Sequence, residues 1–315
     1  QRREMPHETD ARNEGMHLKK FPHLTKEIRA TFNYVYEGKV LTSQRASQFA
    51  GRSIELCPSR INNCAFLPVD HPKAFSETMF LLLGGSGVGY SVQRHHVAKL
   101  PPIKGLLPGQ DQRYLVSDDI EGWANAVYAL MKAYFQCRPK VRFDFGDIRL
   151  KGARLVTSGG KAPGPEPLRI CLEAIEVILD SKKFGSRLTT LECHDIQCLI
   201  ADAVMSGGIR RAAMISLFSL DDEEMLKCKV GPYWETHEHR GRANNSALVL
   251  RHRVKKSDFF KLWGIISESG TGEPGISWSN DREFGTNPCH EIGLNPFTFC
   301  NLSTVDVSDV DTQEE

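Results

Sequence analysis

The chain has 315 residues, a formal net charge of +1 and 40% hydrophobic residues. This length allows one large barrel-like domain or two ordinary domains, and the near-zero charge argues against a nucleic-acid-binding or membrane-surface protein. The longest apolar run, "MFLLL" at Met79 to Leu83, is too short to cross a bilayer. Because the charged start lacks a secretory leader, we expect a cytosolic protein whose partners include neither nucleic acid nor membrane.

The first half of the chain shows an irregular succession of elements. Residues 1–50 are polar with a helical pattern, and "INNCAFLP" predicts a short buried strand ended by Pro68. Apolar residues at helical spacing from Phe75 to Leu83 predict a helix, and "GGSGVG" leads into a second strand, "YSVQ". Residues 94–191 are looser, with an amphipathic helix around Trp123, a strand "VRFDF" and a Gly/Pro-rich stretch before another helix.

Strands and helices then alternate regularly. We predict the helix "DIQCLIADAV", the turn "MSGGIRR", the strand "AAMISLFS", the helix "DDEEMLKCK", the strand "NSALVL", the helix "SDFFKLWGIISES" and the strand "GISWS". Short apolar strands separated by helices favour an α/β fold whose parallel sheet is buried on both faces, either open or closed into a barrel.

The glycine cluster Gly84, Gly85, Gly87 and Gly89 suggests a dinucleotide-binding loop, but such loops run from a strand into a helix. Here a helix enters and a strand leaves, and the GxGxxG spacing is absent. We therefore predict a helix C-cap and a tight turn.

Nine cysteines are present, and their odd number favours reduced, buried or catalytic thiols over a disulfide framework. Cys193, His194 and Cys198, with His237 and His239, suggest zinc. However, helical positions five apart face different directions, and the sequence has no second CxxC-like pair. We expect buried core thiols at this place and no metal site in the chain.

The segment "MSGGIRRAA" places Gly207, Gly208, Arg210 and Arg211 just before a strand. One interpretation is a helix cap followed by a solvated basic pair. The other is a mobile loop at the mouth of the sheet, where the guanidinium groups contact a base or a phosphate. The segment alone leaves both interpretations open.

The segment "GTNPCHEIGLNPFTFCNL" places Cys289, Glu291 and Cys300 on one short loop that contains Pro288 and Pro296. Each proline pushes the preceding residue into an extended conformation, so the loop is not helical throughout. Eleven residues reach about 36 to 40 Å, which allows a there-and-back finger roughly 18 Å deep, close to the length of a barrel strand. We expect Cys289 at the fingertip, shielded from water, and Glu291 placed to exchange a proton with the same substrate.

These residues resemble those of a ribonucleotide reductase large subunit. Asn287, Cys289 and Glu291 match the Asn-x-Cys-x-Glu of that family's finger loop, and "FCNLS" and "NNCAF" resemble the segments that carry its two redox cysteines. The likeness continues through "FSETMFLLLGGSGVGYSVQ", "RFDFGDIRLKGARL", "GGIRRAAMISLFS" and "SGTGEPGISWSNDREFGTNPCHEI", from about residue 40 to the end. These segments are most similar to those of monomeric, adenosylcobalamin-dependent (class II) ribonucleoside-triphosphate reductases. His290 stands where the family more often has Gly.

The resemblance implies a ten-stranded α/β barrel of two five-stranded halves with the finger inserted through the middle. Residues 51–315 would hold the first half-barrel and the finger, after an N-terminal helical segment at 1–50, with an effector-binding insertion at about 94–191. The chain starts with Gln rather than Met and stops on the acidic run "VSDVDTQEE", so we expect a piece of a longer protein. The resemblance implies that the rest of the barrel is needed for turnover, so we expect this chain to be inactive alone.

The resemblance also implies roles for individual residues. Cys289 would form the thiyl radical that abstracts the ribose 3′ hydrogen, with Glu291 as general base and Asn287 orienting the ribose. Cys64 and Cys300 would supply electrons as they become a disulfide. Gly207, Gly208, Arg210 and Arg211 would belong to the loop that reports effector identity to the base site.

The implied cofactor is adenosylcobalamin, and the product is a deoxyribonucleotide used as a DNA precursor. The implied partners are a ribonucleoside triphosphate, a deoxynucleotide or ATP effector, a thioredoxin-like reductant and possibly a complementary C-terminal chain. Two alternatives remain. One is a thiol-disulfide redox protein in which Cys289 pairs with Cys300, which requires an exposed thiol of low pKa. The other is a non-catalytic half of a split reductase.

Overall fold

The structure, a computed structural model, describes residues 6–41, 43–49, 51–155, 160–205, 212–308 and 312. These residues form two compact units. The smaller unit is built from residues up to Asn63 together with those from Cys300 onward, and the larger unit from the residues between them. Within the described ranges, no helix is both long and apolar enough to cross a membrane.

The helices in chain order are α1 (Pro6–Lys20), α2 (Thr25–Tyr36), α3 (Gln44–Phe49), α4 (Arg52–Leu56), α5 (Lys73–Gly84), α6 (Arg94–Val97), α7 (Ile120–Gln136), α8 (Glu166–Asp180), α9 (Thr190–Met205), α10 (Glu223–Lys227) and α11 (Lys256–Glu268). The strands are β1 (Val40–Leu41), β2 (Cys64–Pro68), β3 (Gly87–Ser91), β4 (Leu107–Leu115), β5 (Pro139–Asp144), β6 (Met214–Ser219), β7 (Asn244–Leu250), β8 (Gly275–Ser279), β9 (Gly285–Thr286), β10 (Gly293–Leu294), β11 (Thr298–Cys300) and β12 (Thr304–Val305).

The larger unit is organised around a six-stranded sheet in the order β11, β2, β3, β6, β7, β8. The five strands from β2 to β8 pair in parallel with their neighbours. Helix α5 connects β2 to β3 and packs against α7 and α9 over the sheet. All residues of β3, five of the six in β6 and five of the seven in β7 are buried, as expected for strands covered on both faces. The predicted α/β fold with a parallel sheet is confirmed.

The glycine-rich segment between α5 and β3 has two parts. Gly85 takes a φ of 91° and ends α5, because glycine adopts the left-handed conformation of a helix C-cap without steric penalty. This confirms the predicted cap. Gly87 and Gly89 instead belong to β3, where they pair with Cys64 and Phe66 of β2, so the strand begins earlier than "YSVQ".

The ten-stranded barrel remains a prediction, since the described residues form one sheet of six strands. Residues 94–191 contain a separate parallel pair, β4 with β5, and the helices α7 and α8. Their assignment as an effector-binding insertion also remains a prediction. In the smaller unit, β1 pairs antiparallel with β12.

Candidate active site

The predicted finger is a β-hairpin. Strands β9 and β10 pair antiparallel, with Thr286 opposite Gly293 and Gly285 opposite Leu294. Between them, the backbone N–H of Asn287 donates to the carbonyl of Ile292 at 3.1 Å, and the N–H of His290 donates to the carbonyl of Asn287 at 3.0 Å. The second bond closes a tight turn that presents Cys289, His290 and Glu291 at the tip.

Asn287 holds this tip together from inside. Its side chain is fully buried. Its Oδ1 accepts the backbone N–H of Ile292 at 3.1 Å, and its Nδ2 lies 3.9 Å from the Sγ of Cys64, within the range of a weak hydrogen bond to sulfur. The amide therefore joins the tip to the first residue of β2. The ribose-orienting role of Asn287 stays a prediction.

His290 adopts a backbone conformation that favours glycine. Its φ is +70°, in the left-handed region that glycine adopts most readily. The imidazole compensates through its Nε2, which lies 2.8 Å from the hydroxyl oxygen of Ser277 on β8. A histidine at this position therefore has a strained backbone, but it makes a hydrogen bond to β8 that a glycine could not make.

The glycines of β3 form the surface on which the finger lies. A Cβ at Gly89 would be 1.8 Å from the carbonyl oxygen of Thr286, and a Cβ at Gly87 would be 2.9 Å from the Cγ of Pro288. A Cβ at Gly285 would likewise overlap the ring of Phe66. We call Gly87 and Gly89 the glycine seat, because only residues without side chains allow the hairpin to approach the sheet this closely.

Cys289 is exposed, so the expectation that it is shielded from water is wrong for the described structure. The physical reason is that Pro288 occupies the glycine seat and is buried, while the turn after it leaves the sheet. Partial burial, the Glu291 carboxylate and Cys64 each raise the pKa of the Cys289 thiol, in that order. The thiol therefore stays protonated at neutral pH.

Four of the five predicted catalytic residues are thus brought together within the larger unit: Asn287, Cys289, Glu291 and Cys64. The fifth, Cys300, is buried in the smaller unit, where its carbonyl accepts the backbone N–H of Asn63 at 3.0 Å. The pairing of Cys64 with Cys300 stays a prediction.

Two other groups of residues were singled out from the sequence. Gly207, Gly208, Arg210 and Arg211 fall outside the described residues. Cys193 and Cys198 are fully buried on α9, and burial raises the pKa of both thiols, as expected for core cysteines.

The sequence reasoning missed the glycine seat and the contact of His290 with Ser277. Alternating glycines within an otherwise apolar strand are a signal of close backbone approach, but that signal does not say which segment approaches.

No protein-family model matches the chain. The chain is 28% identical to the adenosylcobalamin-dependent ribonucleoside-triphosphate reductase of Lacticaseibacillus paracasei, over 90% of this chain and 47% of that protein. The protein of the same name from Euglena gracilis is 29% identical, over 86% of this chain and 39% of its own length. The chain therefore spans about half the length of the curated relatives it matches, or less.

A crystal structure of a B12-dependent (class II) ribonucleotide reductase superposes with a TM-score of 0.80 at 25% identity. The match covers 96% of this chain and 52% of the other. The resemblance identified from the finger residues is confirmed by these similarities, and the fold is that of the matched part of this structure.

Proposed function

We propose that this chain carries the radical thiol, the general base and the redox thiols of an adenosylcobalamin-dependent ribonucleoside-triphosphate reductase, which converts ribonucleotides into 2′-deoxyribonucleotides. The observation that carries the proposal is that Asn287, Cys289 and Glu291 of the hairpin lie beside Cys64, the first residue of β2. Similarity to relatives of that name supports it.

The chemistry explains why this set of residues is needed. A ribose 2′-hydroxyl is a poor leaving group until a radical forms at C3′, so a thiyl on Cys289 first takes the 3′ hydrogen atom. Glu291 accepts the proton of the 3′-hydroxyl, and the 2′-hydroxyl leaves as water with a proton from one redox thiol. The other redox thiol gives a hydrogen atom to C2′, and Cys64 and Cys300 become a disulfide after supplying two electrons in all. Glu291 returns its proton to the 3′ oxygen as the ketone formed there is reduced, and Cys289 finally returns its hydrogen atom to C3′.

The state of Cys289 fits this role. A hydrogen-atom donor must keep its S–H bond, and the raised pKa of the thiol preserves that bond at neutral pH. The alternative redox protein requires a low-pKa thiolate, and the direction of the pKa shift argues against it. Glu291, which disfavours the thiolate, has no function in that alternative.

The residues present also fit a bound radical source. The turn from Cys289 to Glu291 is exposed, so this face of the hairpin is where adenosylcobalamin would meet the chain. When bound, that cofactor supplies the one-electron chemistry that removes the hydrogen atom from the thiol. The protein contributes the position of Sγ, held by Pro288 on the glycine seat.

The pairing of Cys64 with Cys300 follows the resemblance. A bridge requires Cα atoms about 4.4 to 6.8 Å apart. An experimental structure with the two Cα atoms more than about 10 Å apart would contradict the pairing.

The regulatory proposals follow the resemblance. Residues 94–191 would bind a deoxynucleotide or ATP effector, and the segment with Gly207, Gly208, Arg210 and Arg211 would transmit its identity to the base site. Such coupling is reciprocal in binding free energy. A thioredoxin-like protein would reduce the disulfide. Changing Gly207 or Arg210 should alter effector-dependent substrate choice, and an unaltered choice would contradict this assignment.

The experiment joins the chain to the C-terminal half of a class II relative and supplies adenosylcobalamin, a dithiol and a ribonucleoside triphosphate. We expect deoxynucleotide and exchange of the cofactor's 5′ hydrogens with solvent. Cys289→Ala should abolish both, whereas Cys300→Ser should abolish deoxynucleotide formation but retain exchange. Cys137→Ser is the matched control and should change neither. Product formed without cobalamin, or exchange that survives Cys289→Ala, would contradict the proposal.

A further inference from the structure

A cluster of two imidazoles and one carboxylate lies at the root of the finger, outside the thiol site. His95 and His96 belong to α6, and Glu283 comes two residues before β9. The Nε2 atom of His95 is 2.8 Å from one carboxylate oxygen of Glu283, and the Nε2 atom of His96 is 2.8 Å from the other. The three potential ligand atoms all lie within 4.8 Å of one another.

The surroundings orient the two rings. The Nδ1 atom of His96 lies 2.8 Å from the hydroxyl oxygen of Ser91, so its Nε2 is the nitrogen left facing Glu283. His96 is fully buried, and its ring centroid is 4.0 Å from that of His95. Such a hydrogen bond to the second nitrogen is typical of metal-binding histidines, because it fixes the orientation of the ring.

The Nε2 atom of His95 supplies a separate indication. It is inaccessible to solvent, yet it makes no well-aligned hydrogen bond although a carboxylate oxygen lies 2.8 Å away. The contact with Glu283 is therefore poorly aligned for a hydrogen bond, and a metal ion would satisfy this nitrogen better.

Two cations oppose a bound metal ion. The Nε atom of Arg282 lies 3.2 Å from a carboxylate oxygen of Glu283. The positive charge of Lys99 also disfavours a further positive charge at both histidines. Arg282 is 57% exposed and can move into solvent. A metal ion would therefore take the place of Arg282 on the carboxylate.

We propose that His95, His96 and Glu283 bind one divalent ion of the zinc type. Two imidazole nitrogens and one carboxylate oxygen are ligands that zinc prefers, with a fourth position for water. Bonds of about 2.0 to 2.1 Å require ligand atoms roughly 3.3 Å apart in a tetrahedron, so the present 2.8 Å contacts need to open by about half an ångström. The ion would fix the segment that leads into β9, independently of the proposed reductase activity.

The test uses the 315-residue chain, stripped of metal and titrated with Zn²⁺ against a chromophoric chelator. We expect one tightly bound equivalent. Glu283→Gln and His95→Ala should each weaken binding at least tenfold, and Arg282→Gln should strengthen it severalfold because it removes the competing cation. His252→Ala, which removes an exposed histidine elsewhere, is the matched control and should have no effect.

Circular dichroism establishes that each variant is folded, and His95 and Glu283 are chosen because they are less buried than His96. A Co²⁺ spectrum of a tetrahedral nitrogen and oxygen site, without thiolate charge-transfer bands, would support the proposal. Three outcomes would overturn it: no stoichiometric binding, binding unchanged in Glu283→Gln, or binding that is lost only in Cys289→Ser.

Discussion

At the finger tip, the surroundings of Cys289 determine whether its side chain is a thiol or a thiolate. Cys289 is exposed, but partial burial and the neighbouring Glu291 raise the pKa of its thiol. The carboxylate two residues away disfavours the thiolate, and this keeps the hydrogen atom that the proposed reaction needs.

Replacement of Glu291 by Gln should lower the pKa of Cys289, because it removes a negative charge that disfavours the thiolate. The measurement is the rate of Cys289 alkylation against pH, followed by peptide mass spectrometry. In the unaltered chain the midpoint should lie above about 8.5, the pKa of a free cysteine. Glu268→Gln, at an exposed glutamate on α11, is the control. An unchanged midpoint in Glu291→Gln would mean that the carboxylate does not act on the thiol.

His290 and Ser277 provide a second prediction. His290→Ala keeps the left-handed backbone but loses the hydrogen bond to Ser277, whereas His290→Gly loses the bond and removes the strain. The alanine variant should therefore unfold more easily than the glycine variant, by about 1 kcal/mol. In a Ser277→Ala background, His290→Gly should become stabilising. Denaturant unfolding of the four variants measures this, and equal stability of the alanine and glycine variants would contradict it.

At the scale of elements, much was predictable from the sequence. The alternation of short apolar runs with helical patterns identified β2, β6, β7, β8 and their connecting helices, because buried parallel strands leave continuous apolar stretches. The prolines indicated that the finger is not helical, and it is a hairpin. The prediction that Cys289 is shielded from water was wrong. The length of a loop does not determine which of its residues contacts the sheet.

Gly89→Ala should detach the finger from the sheet, because the new Cβ would overlap the carbonyl oxygen of Thr286. Hydrogen exchange should show loss of protection at the amides of Asn287 and Ile292, while β6 and β7 stay protected. Gly264→Ala is the matched control, since its Cβ would enter open space on α11. It should be neutral or stabilising by up to about 1 kcal/mol. Unchanged protection in Gly89→Ala would contradict the role of the seat.

At the scale of the whole molecule, buried histidines make the fold sensitive to acid. His194 is fully buried beneath the sheet, where its Nδ1 lies 2.7 Å from the hydroxyl of Tyr90, and burial lowers its pKa from 6.5 to about 3. The folded state therefore binds fewer protons than the unfolded state between these pH values. The stability that neutral His194 contributes is fully present above about pH 6.5 and is lost as the pH falls toward 3.

Urea unfolding at a series of pH values tests this expectation. The free energy of unfolding should fall as the pH is lowered from 6.5 to 3. One histidine contributes up to about 1.4 kcal/mol per pH unit to this fall. His194→Gln should have a shallower slope, whatever its absolute stability, whereas His252→Ala should retain the slope of the unaltered chain. A slope unchanged by His194→Gln would show that the ring is not kept neutral by the fold.

The glycine seat also has a genetic consequence. At Gly87 the obstacle to a side chain is the ring of Pro288, so a mutation that shortens residue 288 could act as a suppressor of Gly87→Ala. At Gly89 the obstacle is a main-chain oxygen, which every amino acid at position 286 carries. No substitution of Thr286 can restore the space, so a selection for revertants of Gly89→Ala should return true reversion to glycine and no second-site change at residue 286.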